Sequence, residues 1–260
     1  MTWSSLIPAI GAGGLVGFTL GLIGGGGSIL ATPLLLYAVG VASPHVAIGT
    51  SALAVSVNAY ANLIAHARKG HVWWRCAAVF AVVGTLGAVL GSSLGLLMDG
   101  KRLLFLFGLA MAAVGIAMLR QRNPLPGATR PVDLRTCLYT GGMAILAGAA
   151  SGFFGIGGGF LIVPALILAT RMPIINAIGS SLLAVGTFGL ATAINYAQAG
   201  LVDWLVAIEF IGGGIFGGFA GMLLATKLST SKTALNRIFS MLVLAVAAYV
   251  IFRNMPGLSG

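Results

Sequence analysis

Between Cys76 and Met98 the chain carries no charged side chain, a run longer than the ~20 apolar residues with which a helix crosses ~30 Å of hydrocarbon. Leu103 to Leu119 is equally uncharged, and Leu205 to Thr226 holds one carboxylate, Glu209. Such segments take lipid as their solvent. With 58% hydrophobic and 7% charged residues, and a mean hydropathy of +1.06, most of the chain belongs in a membrane, as an all-α polytopic protein.

The net charge of +10 does not point to nucleic acid, because the 14 Lys and Arg residues fall in short loops between apolar segments and form no single face. The positive-inside rule accounts for them. The opening MTWSSLIPAI has neither a basic n-region nor an A-x-A-like cleavage site, so the first apolar run is expected to stay in the protein. Cys76 and Cys137 each sit beside a basic loop at the start of an apolar run and are read as reduced thiols.

Aligned on itself, the chain shows one period of about 130 residues. Gly24-Gly25-Gly26-Gly27-Ser28-Ile29-Leu30-Ala31-Thr32-Pro33 matches Gly155-Ile156-Gly157-Gly158-Gly159-Phe160-Leu161-Ile162-Val163-Pro164, in register to the proline. After one dropped residue, Gly49-Thr50-Ser51 matches Gly179-Ser180-Ser181, and Gly70, Val72 and Trp74 fall on Gly200, Val202 and Trp204. Arg120 to Arg135, with three prolines and four arginines, reads as a linker. The expected organisation is a first transmembrane repeat over 1–119, a cytoplasmic linker over 120–136 and a second repeat over 137–260.

Each half opens on an apolar run too long for one simple span, residues 6–40 and 137–170, interrupted by glycines. Each glycine costs a helix ~1 kcal/mol against alanine, and the proline that follows removes another donor. The run is therefore expected to break, as a re-entrant or discontinuous segment, before three transmembrane helices. If each run were a single crossing, the halves would be parallel and the loop cations would divide 8 to 6 between the faces. If it folds back, the halves are inverted. Then Arg68, Lys69, Arg75, Arg120, Arg122, Arg130, Arg135, Arg171, Lys227, Lys232 and Arg237 share one face, against Lys101, Arg102 and Arg253 on the other. Eleven against three is a positive-inside signal, which favours inverted repeats with the linker cytoplasmic and both termini outside.

Inverted repeats that break at glycine bring two unwound segments toward the midplane, where transporters hold their substrates. Successive backbone N–H groups without Cβ atoms, beside a helix start, bind an oxyanion without a buried cation that would hold it too tightly. The candidate substrate-binding residues are Gly24, Gly25, Gly26, Gly27, Ser28, Thr32 and Pro33 with Gly49, Thr50 and Ser51. In the second half they are Gly155, Gly157, Gly158, Gly159 and Pro164 with Gly179, Ser180 and Ser181. Glu209, whose repeat mate is Val79, and His66, which matches Tyr196, are candidates for coupling. Asn58, Asn62 and Asn195 are further polar groups on the same pair of helices. The bland reading of small residues is close helix packing, and it is adopted for Gly212 to Gly221. Trp73, Trp74 and Trp204 read as interface anchors.

Gly91-Ser92-Ser93-Leu94-Gly95 fits G-x-S-x-G, but it lies in an uninterrupted apolar helix pattern, and Gly87, Gly91 and Gly95 read as a packing ladder. The glycine runs also lack the trailing Lys-Ser or Lys-Thr of a phosphate loop.

On the glycine-rich motifs ending in Pro33 and Pro164, the Gly49-Thr50-Ser51 and Gly179-Ser180-Ser181 pair and the duplication, the chain resembles the TauE/SafE sulfite exporters of the toluene sulfonate uptake permease superfamily. The likeness covers nearly its whole length. It implies a bacterial inner-membrane transporter of sulfite, sulfoacetate, sulfonates or related anions that works without a cofactor. Its partners are then the small anion, the lipid bilayer and a coupling proton or Na+; the chain acts alone or as a homodimer. Alternating access is the expected mechanism, with a passive anion channel as the main alternative and an intramembrane protease using Ser93 as a distant third.

Overall fold

The computed structural model describes residues 3–120, 134–155, 159–170, 172–227 and 232–255. Among the described residues every regular element is helical: α1 (Trp3–Ile23), a 3-10 segment Gly24–Leu30, α2 (Ala31–Leu34) running into a wide turn Leu35–Val39, then α3 (Pro44–Arg68), α4 (Trp74–Leu97), α5 (Gly100–Arg120), α6 (Leu134–Phe154), α7 (Gly159–Thr170), α8 (Ile174–Gln198), α9 (Trp204–Lys227) and α10 (Lys232–Asn254). Six of these, within α1, α3, α4, α5, α8 and α9, are long and apolar enough to cross a membrane. Helix α5 runs to Arg120 and α6 begins at Leu134, so the ends of the expected linker are helical, and its centre lies outside the described residues.

Helix ends follow local chemistry. Asp99 accepts from the backbone N–H groups of Lys101 and Arg102 at 3.0 and 3.2 Å, and Asp203 from those of Leu205 and Val206 at 3.1 and 3.2 Å. Two of the chain's four acidic residues thus cap helices α5 and α9. The repeat mates Gly70 and Gly200 both take positive φ. Each closes its helix with the same pair of bonds: His71 N–H to His66 and Gly70 N–H to Ala67, and Leu201 N–H to Tyr196 and Gly200 N–H to Ala197.

Lipid supplies no hydrophobic force between helices, so they associate where small residues let backbones approach closely. Gly13, Gly17 and Gly21 of α1 lie against the backbone of Phe210, Gly214 and Gly218, in rising order, so α1 and α9 run parallel. Likewise Gly148 and Gly152 of α6 meet Gly84 and Ala88 of α4, also in parallel. Asn58 and Asn62 of α3 meet Gly214 and Gly218, which aligns α3 with α9. Helices α3 and α8 run antiparallel: Gly49 faces Tyr196, Gly189 faces Ala52, and at their crossing Ser56 Oγ donates to the Gly186 carbonyl at 2.7 Å. So do α5 and α10, where Gly108 meets Ile251 and Gly115 meets Leu244. In each of these pairings the partners come from opposite halves of the chain. Phe80 stacks on Phe188 within the core at 6.3 Å between centroids, while Val82, Leu86, Leu90 and Leu94 form an exposed stripe on α4. Trp74 and Trp204, first residues of α4 and α9, are exposed.

Candidate functional site

Helix α1 ends at Ile23, and Gly24 follows with φ of +75°; α6 ends at Phe154, and Gly155 follows with φ of +66°. Few side chains tolerate that conformation. After Gly24 the chain doubles back on α1, so that a Cβ on Gly27 would run into Thr19 and the backbone of Leu20. Gly25 and Gly26 fall in the 3-10 segment, and Ser28, Thr32 and Pro33 are buried on the return. Gly159 and Pro164 fall in α7, and Gly157 and Gly158 lie outside the described residues.

Each break is seated on the opposite half. Gly24 lies against Ile178 and the Ser181 hydroxyl of α8, and Gly155 against Ile48 of α3. Ser51 Oγ donates to Ile48 O at 2.9 Å and leans toward Gly155 O at 3.5 Å, while the Thr32 hydroxyl, 2.8 Å away, is its buried side-chain neighbour. Ser181 donates to Ile178 O at 2.8 Å; Val163 takes the place of Thr32 in the second half.

The other members of these triplets bind loops. A Cβ on Gly49 would strike the Leu201 carbonyl, and one on Gly179 the His71 carbonyl. Thr50 Oγ1 accepts from the Asp203 N–H at 2.9 Å, and Ser180 Oγ from the Trp73 N–H at 2.9 Å. In each triplet, therefore, the glycine and the first hydroxyl clamp the other half's loop, and the second hydroxyl is left at the other half's break. Ser51 and Ser181 each stand five residues before the Ser56–Gly186 crossing of antiparallel helices, which puts them about 15 Å apart at ~1.5 Å per residue. The return segment from Gly24 packs against α7 between them.

The two coupling candidates part company. Glu209 is half-buried on the second turn of α9, whereas His66 is fully buried at the far end of α3 with Nε2 3.4 Å from the Gly21 carbonyl. His71, on the loop beyond α3, has its imidazole held below the ordinary histidine range by burial and by the Lys69 ammonium. Ser93 bonds to Val89 O at 2.9 Å and to the Asn195 amide at 3.1 Å, neither of which can take its proton.

The sequence model of the family described as sulfite exporter TauE/SafE matches residues 9–250. This chain belongs to the TauE/SafE family. Two probable membrane transporter proteins from Xylella fastidiosa strains 9a5c and Temecula1 are each 70% identical to it over 99% of both chains. The probable membrane transporter protein YunE of Bacillus subtilis is 25% identical, covering 93% of this chain and 96% of its own. No solved structure matches. Gly24 and Gly155 thus stand where α1 and α6 end, and Gly49 and Gly179 where loops close on α3 and α8. Sequence reading missed the partner of each: offset pairs such as Ser51 with Gly155, or Thr50 with Asp203, carry no local signal.

Proposed function

We propose that this TauE/SafE membrane transporter is a secondary carrier of small sulfur-containing anions such as sulfite, sulfoacetate and other organosulfonates, working by alternating access in a bacterial inner membrane. The observation that carries the reading is the reciprocal seating of each glycine break on the other half's Ser51 or Ser181. Unwound backbone and neutral hydroxyls supply donors to an oxyanion without a fixed cation, and α7 starts four residues past Gly155, bringing its positive end to that break. Unwound backbone at membrane depth is tolerated where it lines a cavity or is buried in protein.

Inverted repeats are part of this reading. Helices α3 and α8 are repeat mates that run antiparallel, and the mates Ser56 and Gly186 touch each other. The axis relating the halves then passes between them and across the bundle. Because α1 and α3 both run with α9, the stretch from Gly24 to Ser43 has to bring the chain back between them. Inversion gathers Arg68, Lys69 and Arg75 with the starts of α6, α8 and α10 at one end, the cytoplasmic one by the positive-inside rule. Rocking one bundle against the other would open each break in turn.

Flux in proteoliposomes tests this with sulfite, sulfoacetate, thiosulfate and toluene sulfonate. Gly155→Val, whose side chain would enter Ile48, is expected to lower flux at least tenfold. If none of the four anions moves faster than in empty liposomes, the substrate class is wrong. Flux that neither runs against a gradient nor is accelerated by anion on the opposite side would make the protein a channel.

A further inference from the structure

Helices α3 and α8 are repeat mates that bury different chemistry. On α3, Ser51, Asn58, Asn62 and His66 are separated from the first by seven, eleven and fifteen residues, close to whole turns, so they share one face. The matching residues of α8 are Ser181, Phe188, Thr192 and Tyr196. Two amides and an imidazole in the first half therefore stand where the second has two aromatic rings and two hydroxyls, those of Thr192 and Tyr196, which are also buried and unpaired.

All four α3 groups are buried. Ser51 leans on the Gly155 carbonyl at one end, and His66 Nε2 is 3.4 Å from the carbonyl of Gly21, three residues before Gly24, at the other. The stripe thus joins one glycine break to the neighbourhood of the other, over about 22 Å at ~1.5 Å per residue. Along it Asn62 Nδ2 donates to the backbone carbonyl of Asn58, one turn back, at 2.9 Å. The Asn58 carboxamide, set against Gly214, has neither its oxygen nor its nitrogen paired, and His66 Nδ1 is unpaired as well. Unpaired polar groups at membrane depth are costly, and they persist where an ion or substrate uses them. The charged and titratable groups acting on His66 among the described residues are His71, its ring centroid 5.7 Å away, and Lys69; α1 presents the Gly21 carbonyl.

We propose that this stripe is the coupling route of the transporter: His66 is a proton site, loaded past His71 from the basic end of the molecule and linked through Asn62 and Asn58 to the Gly155 break. The inference rests on the transporter reading above and assigns its driving ion. The proton enters on the unpaired Nδ1 while Nε2–H donates to the Gly21 carbonyl, so His66 passes from neutral to singly charged without giving up that contact. Tyr196, the phenol at the mate position, offers no equivalent, so one proton moves per cycle and only the first half carries it.

The test uses full-length protein in liposomes with sulfoacetate and toluene sulfonate, whose sulfonates keep their charge over the pH range used. At one proton per anion, and with the membrane potential clamped at zero because sulfoacetate also carries an ionised carboxylate, a gradient of one pH unit is expected to accumulate the anion about tenfold in wild type. His66→Gln is expected to accumulate it less than about twofold, while exchange of labelled for unlabelled anion at equal pH falls about threefold at most. If His66→Gln aggregates, Asn58→Phe with Asn62→Thr, which copies α8, carries the same expectation. Undiminished accumulation in either variant overturns the assignment. So does loss of exchange in step with accumulation, the mark of a structural role. Wild type that exchanges anion without responding to pH overturns this inference and leaves the transporter standing; wild type that moves no anion overturns both.

Discussion

Ser51→Ala removes the oxygen on which two buried groups converge. Thr32 sits 2.8 Å from it, and since the Ser51 proton is committed to the Ile48 carbonyl at 2.9 Å, Thr32 is the donor of that pair. A hydrogen bond between membrane helices contributes ~0.6 kcal/mol on average and up to ~1.7. The larger cost is the Thr32 hydroxyl, fully buried and left without an acceptor, at about 1–3 kcal/mol. Partial relief through the Ser28 carbonyl one turn back brings the expected total to about 2 kcal/mol. Thr32→Val imports the side chain of the second half's Val163 and leaves no orphan, so it should cost only ~1 kcal/mol. The double variant should cost ~2 kcal/mol, because once the hydroxyl is gone the oxygen has less to support. The cycle therefore has a coupling of ~1 kcal/mol. Thermal unfolding in detergent reads this as a fall of roughly 4–8 °C for Ser51→Ala and for the double variant, and about half of that for Thr32→Val. Strict additivity, with the double variant near 3 kcal/mol, would show that the two hydroxyls do not hold each other.

Further outcomes follow from the packing. Gly17→Leu, driven into the Gly214 backbone, is expected to abolish recovery of folded protein; Gly11→Ala, with nothing within 4 Å, should be neutral or stabilise by up to ~1 kcal/mol, as detergent melting curves will report. In a background lacking Cys76 and Cys137, cysteines at Ser43 and at Gly200 should both react with an impermeant reagent added outside intact cells, and labelling of one alone would sink the inverted arrangement. His71 binds its proton less readily in the folded protein than in the unfolded chain. Its contribution to stability is therefore present above the ordinary histidine range and lost as pH falls through the depressed folded value. His71→Gln should flatten that acid limb of the melting temperature, and an unchanged limb would refute the assignment.

Much of this protein was legible because lipid makes local rules strict. Uncharged stretches such as Cys76 to Met98 have one destination, and among the described residues six helices have the length and hydropathy to reach it. The duplicated motifs identified the family for the same reason: Gly24 and Gly155 hold a backbone conformation that other side chains resist, so the requirement is written at single positions. Thr50 shows where legibility stops. As a residue type it is a hydroxyl beside a glycine, available to an anion; in the fold it accepts from Asp203 N–H, 153 residues away, while its neighbour Ser51 reaches Gly155. Which hydroxyl meets a loop and which meets a break depends on how α3 rotates against α8 and on where glycine lets a foreign backbone approach. The asymmetry of Asn58 and Phe188 could be read from the alignment, but not that Asn58 is buried against Gly214 with its amide unpaired. Sequence set which segments enter the membrane and where their backbone yields. Tertiary packing decided which groups meet there, because helices that lipid neither attracts nor repels are matched by the fit of their surfaces.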